Sequence, residues 1–96
     1  MSLNLGLFES IEIFDENIND CVFFDNLILN VGKYMIAGNV IPNGNCKLLF
    51  NDEIKYNDNV IKGVYWEYQT LIPDEQFKLT IEGSFNRVAL TLIRTE

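Results

Sequence analysis

The sequence predicts a mainly all-β fold: an antiparallel meander of about six to eight short strands, forming a sandwich or partly closed barrel, with one short N-terminal helix as the alternative reading of its opening segment. Three observations lead there. Apolar and polar residues alternate over several stretches, the pattern of half-buried strands. Turn signals recur about every eight to twelve residues. Twelve asparagines supply a residue type that favours turns.

The opening segment has two readings. Leu7, Ile11, Phe14 and Ile18 recur at helical spacing, with Glu9, Glu12 and Glu16 on the other side. Three like charges without a basic partner weaken such a helix. The run Ile11-Glu12-Ile13-Phe14 and the turn-rich residues 15–20 favour a strand and loop instead. One or two strands are expected in residues 21–31, and another on Tyr34, Ile36, Gly38 and Val40.

Ile41-Pro42-Asn43-Gly44-Asn45 then predicts a chain reversal, because proline presets φ and Asn or Gly accepts the left-handed conformation that follows. Weaker turns are expected at Asp25-Asn26, Gly32-Lys33, Asn51-Asp52, Asn57-Asp58-Asn59, Pro73-Asp74-Glu75 and residues 83–86. Cys46, Leu48 and Phe50 mark the next strand. Val64, Trp66, Tyr68, Thr70 and Ile72 then face a core, with Tyr65, Glu67, Gln69 and Leu71 on the opposite face. Phe77, Leu79 and Ile81, followed by Val88, Leu90 and Leu92, predict a closing hairpin of two strands. Gly38 and Gly83 suggest bends or bulges that help a sheet curl.

Length and composition suit one folded domain over residues 1–96. Hydrophobic residues make up 48% and charged residues 22%, which separates the chain from disordered sequences. No apolar run approaches the length of a membrane helix, so no membrane association is expected. The first residues hold no basic group ahead of an apolar stretch, and the cytoplasm is therefore the expected location. In that reducing setting Cys21 and Cys46 read as buried thiols rather than a disulfide.

The net charge of -7 is unevenly spread. Residues 1–32 hold Glu9, Glu12, Asp15, Glu16, Asp20 and Asp25 with no Lys or Arg, whereas the rest of the chain is nearly balanced. The seven bases are scattered, so direct nucleic-acid binding is not expected. An acidic segment favours encounter with a basic protein surface, and it also keeps a small protein soluble.

Chemistry-bearing motifs are few. The absence of histidine removes the commonest general base and the commonest zinc ligand. Residues 15–20 match the first half of an EF-hand loop, yet Asp20 stands where glycine is needed and Asn26 where a bidentate glutamate is needed. No metal or other cofactor is expected, and residues 15–20 read better as a solvated loop. Glu67 and Glu82, expected on neighbouring strands, could form a carboxylate pair, but their alternation with core residues turns both outward. No enzyme is expected. In Tyr65-Trp66-Glu67-Tyr68 alternation sends Trp66 and Tyr68 inward and leaves Tyr65 exposed, with Tyr34 and Tyr56 as candidates to join it.

The expected function is that of a small acidic interaction domain, of inhibitor, immunity or adaptor type. Glu9, Glu12, Asp15, Glu16, Asp20 and Tyr65 are its candidate protein-binding residues. Two other readings stand beside it: a small-molecule binder using a curled sheet, and a homo-oligomeric structural subunit pairing through strand edges and outward apolar residues such as Leu71 and Ile93.

Overall fold

The computed structural model describes residues 2–96. Its elements are β1 (Ser2–Leu3), β2 (Ser10–Leu29), β3 (Gly32–Phe50), β4 (Glu53–Asp58), β5 (Lys62–Thr70) and β6 (Glu75–Arg94). They form one sheet in the order β1-β2-β6-β3-β4, with β5 also paired to β3, and the sheet is not closed. All pairings are antiparallel except that of β1 with β2. The all-β antiparallel architecture is as the sequence predicts.

Three of the strands are long. At about 3.3 Å per residue the 20-residue β2 would run about 66 Å if straight, but the longest dimension of the molecule is 37 Å. The strands must therefore fold back. A ring contact shows how far: Trp66 pairs with Ile36, fourteen positions before Phe50 on β3, yet the Trp66 and Phe50 rings lie 4.9 Å apart. The sheet is folded on itself into two layers. One holds β2 10–18, β6 85–94, β3 32–41 and β5; the other holds β2 21–29, β6 75–83, β3 46–50, β4 and β1.

All three long strands turn at the same place. Their register shifts fall between Ile18 and Cys21 on β2 and between Ile41 and Cys46 on β3, with Gly83 of β6 paired to both Cys21 and Cys46. Extra residues in one strand of a pair bend it and increase its twist, which lets a strand pass from one layer to the other. The local conformations suit that bend. Asp20, Gly44 and Gly83 have φ of 54°, 114° and 104°. A Cβ on Gly83 would stand 2.6 Å from the Asn45 carbonyl oxygen, so only glycine lets β3 pass at the corner.

Several element-level expectations are corrected by this corner. The proline-containing motif at residues 41–45 does not reverse the chain; Asn43, Gly44 and Asn45 form an exposed excursion while β3 continues beyond them. The two expected strands of the closing hairpin are one strand, β6, whose halves both pair with β2 and β3. No helix forms over residues 7–18, and residues 15–20 are bulged strand rather than loop. Asp25-Asn26 is regular strand as well. The turns at Asn51-Asp52 and Pro73-Asp74 are present, with φ of 50°, 65° and 55° at Asn51, Asp52 and Asp74.

The core lies between the layers. Ile36, Leu48, Leu79, Ile81, Leu90 and Leu92 are among its fully buried members. Rings bridge the layers: Phe77 lies 5.0 Å from Phe50 and 4.9 Å from Tyr68. Trp66 and Tyr68 pack on the core and Tyr65 points out, as alternation predicts. Glu67 and Glu82 are not on neighbouring strands, because β5 pairs with β3 and not with β6. Cys46 is buried but Cys21 is exposed, since it sits at the corner on the outermost long strand. The two thiols flank Gly83 from opposite sides. Two strand spacings of about 4.8 Å each hold their backbones beyond disulfide reach.

Candidate functional site

The acidic segment of the sequence folds as β2, and β2 borders the sheet. Its inner side pairs with β6 along nearly its whole length, while on its outer side, among the described residues, β1 pairs with Ile28 and Leu29. Among the described residues no strand pairs with the outer side of β2 10–25. Backbone N–H and C=O groups on such an edge are available to another chain.

The two halves of that edge differ. Residues 10–18 carry register shifts between Glu12 and Phe14 and between Glu16 and Ile18. Bulges of this kind spoil an edge as a template for pairing. From Cys21 to Leu29 the register against β6 runs without a shift.

Where the halves meet, Phe14 of one layer and Phe23 of the other stop the mouth of the sandwich, their rings 4.7 Å apart and tilted by 53°. A depression of about 270 Å³ opens there, lined by Glu12, Ile13, Phe14, Asp15, Glu16 and Phe23. Aromatic rings at its base and carboxylates at its rim suit a lysine or arginine side chain, which gains from both.

The charge around this mouth is largely uncompensated. Asp15 is committed, because Arg87 donates from Nε to Oδ1 at 2.9 Å and from Nη2 to Oδ2 at 3.0 Å. Those hydrogen bonds hold its carboxyl below the usual range. Glu9 accepts the Gly6 N–H. Glu12, Glu16, Asp20 and Asp25 accept no side-chain hydrogen bond or ion pair among the described residues. The other ion pairs, Lys33–Glu96, Lys55–Glu53 and Lys78–Asp52, use acids outside the first third of the chain.

Tyr65 lies across the sheet from the acids. One row of the outer face runs Glu12, Thr91, Ala37, Tyr65 over four strands, so Tyr65 shares a face with Glu12 but stands three strand spacings away. Its hydroxyl donates to Glu67 Oε1 at 3.0 Å, and the neighbouring carboxylate raises its pKa. It borders a larger depression of about 420 Å³ with Lys33, Met35, Glu67, Gln69 and Glu96. There the polar groups largely satisfy one another, through Tyr65–Glu67 and Lys33–Glu96. Tyr34 and Tyr56 do not join Tyr65: both are buried, and their hydroxyls donate to the carbonyls of Asn30 and Val60.

Phe14, Phe23 and Asp25 were not among the candidate binding residues read from the sequence. The available signal was reversed amphipathicity in residues 22–25: Val22 and Phe24 point out, while Asp25 shares the inward face with Phe23, opposite Leu79. No group of three or more metal-ligating side chains occurs among the described residues, so the partial calcium-loop match at residues 15–20 is not accompanied by a ligand cluster. No described helix is long and apolar enough to cross a membrane. No protein-family model, no curated protein and no solved structure matches the chain.

Proposed function

We propose that this protein is a small cytoplasmic interaction module that engages a basic surface of a partner protein through β2, in the manner of an inhibitor, immunity or adaptor protein. The observation that carries the reading is that Glu12, Glu16, Asp20 and Asp25, on the bordering strand β2, accept no side-chain hydrogen bond or ion pair among the described residues. Binding of this kind needs no catalytic group. Like-signed acids along an edge attract a basic partner and at the same time repel a second copy of the same edge.

The test is capture of the partner from the native host, followed by association kinetics. Steered association is expected to slow by about tenfold or more between low and physiological ionic strength. The double variant Glu12→Lys/Glu16→Lys is expected to lose binding with its thermal transition unchanged. A salt-indifferent rate, together with full binding by that variant, removes the reading.

The depression beside Tyr65 favours a second reading, a small polar ligand, because its volume of about 420 Å³ falls within the range of small-molecule sites. Substituting Tyr65→Phe should then weaken ligand binding without affecting capture of a protein partner.

A further inference from the structure

We infer that two copies of this chain pair through β5, antiparallel and centred on Trp66, so that the two layers holding β5 join into one continuous sheet. The contact is separate from the β2 surface, which borders the same layer on its far side.

β5 pairs with β3 over all nine of its residues without a register shift, and among the described residues no strand pairs with its other side. Residues 10–18 of β2 are bulged, β4 is six residues long with a register shift against β3, and β1 has two residues. Proline, bulges and projecting lysines are the usual guards of an edge, and the middle of β5 has none of them. Its one lysine, Lys62, stands at the first position, with Nζ 5.3 Å from the centroid of the Tyr56 ring on β4. A depression of about 220 Å³ lies beside the first half of the strand, between residues 62–66 and Lys55 of β4.

The side chains of β5 point to a second copy as the occupant, because the strand is complementary to itself. A two-fold axis at Trp66, the midpoint of the strand, uses its whole length and keeps inward residues opposite inward residues. Trp66 then faces Trp66 of the second copy, Val64 faces Tyr68, Tyr65 faces Glu67, Gly63 faces Gln69 and Lys62 faces Thr70. Aromatic–aromatic and aromatic–β-branched pairs are favourable cross-strand neighbours. Glu67 holds its own Tyr65 hydroxyl through Oε1 at 3.0 Å, and a carboxylate has a second oxygen for the Tyr65 hydroxyl of the second copy.

Charge agrees with this register. Lys62 and Glu67 are the only charged residues of β5, so two copies meet there without the repulsion that the acids of β2 bring, and neither residue meets its like. Moving the axis to either neighbouring residue shortens the ladder, and at Glu67 it sets two carboxylates directly opposite each other. Trp66 packs edge-on against Phe50 but is only partly buried, and its counterpart across the axis covers the remainder.

The test is sedimentation equilibrium of the full chain up to about 1 mM, a range that includes weak contacts of this size, with amide exchange at both ends of the concentration series. The parent chain is expected to dimerise, and every second amide within residues 63–69 to gain protection as concentration rises while those of β2 do not. Tyr65→Glu places a carboxylate opposite Glu67 on both sides of the axis and should weaken the dimer about tenfold, whereas Tyr65→Lys places an ammonium there and should keep it within about threefold. Tyr65 is exposed, so both variants are expected to keep the thermal transition of the parent chain, and the exchange readout needs no variant.

A parent chain that stays monomeric at about 1 mM overturns the inference. So does a dimer that Tyr65→Glu and Tyr65→Lys affect alike, or one that protects residues 21–25 in place of β5. The reading of β2 is decided separately, by capture of a host partner.

Discussion

Gly38→Ala is expected to destabilise the fold by about 3 kcal/mol or more, a large share of the stability of a domain this size. Gly38 lies in the middle of β3, paired with Val64 on one side and Leu90 on the other. A Cβ built on it overlaps the Ala89 carbonyl oxygen and approaches the Ala89 carbonyl carbon at 2.8 Å. That obstacle is backbone, and it cannot retreat. Ala89 is held on its far side by pairing with Asp15 of β2, so moving β6 away from β3 disturbs two ladders at once. Gly63→Ala is the matched control, because a Cβ there meets nothing closer than 3.6 Å. Urea unfolding of the two variants should separate them widely; similar midpoints would mean that β3 and β6 are not packed as described.

Phe77→Ala is expected to cost about 3–5 kcal/mol, the range for removing a buried aromatic ring. Phe77 is fully buried and touches the rings of Phe50 in its own layer and Tyr68 in the other. Its loss leaves a cavity at the point where the layers are joined. Trp66 reports the loss, because it stacks edge-on against Phe50 at 4.9 Å. Its fluorescence should shift to the red while the denaturant slope stays unchanged. A cost below about 1 kcal/mol would place the inter-layer contact elsewhere.

Most inward-facing positions were legible in the sequence. Tyr34, Ile36, Val40, Leu48, Phe50, Val64, Thr70, Phe77, Leu79, Ile81, Val88, Leu90 and Leu92 all face the core, as alternation predicts. What alternation could not tell was whether a break in its phase separates two strands or bends one. Between Ile81 and Val88 the inward set changes from odd to even positions, which reads naturally as a hairpin. A bulge in a continuing strand produces the same change of phase, and β6 is that case. The proline and glycine at residues 42 and 44 are equally ambiguous, because an excursion at a corner and a reversing turn ask for the same conformations.

The candidate site was legible in charge but not in geometry. Glu12, Glu16 and Asp20 are exposed, as their pattern implies. Their position at a free edge depends on β2 pairing with β6, a contact between opposite ends of the chain that no local pattern encodes. Phe14 and Phe23 meet only because β2 folds at its corner, so the depression between them has no linear signature. Asp15 reads like its acidic neighbours, yet Arg87, far away in sequence, occupies its carboxylate.

The account turns on whether the outer side of β2 is open, and amide hydrogen exchange on the free protein tests that directly. In an edge strand successive amides point alternately to the paired and the open side. Within residues 21–25 every second amide should therefore exchange close to the rate of an unstructured peptide, while the intervening ones and those of β6 stay protected. Continuous protection through residues 21–25 would show the edge already covered and would contradict the account.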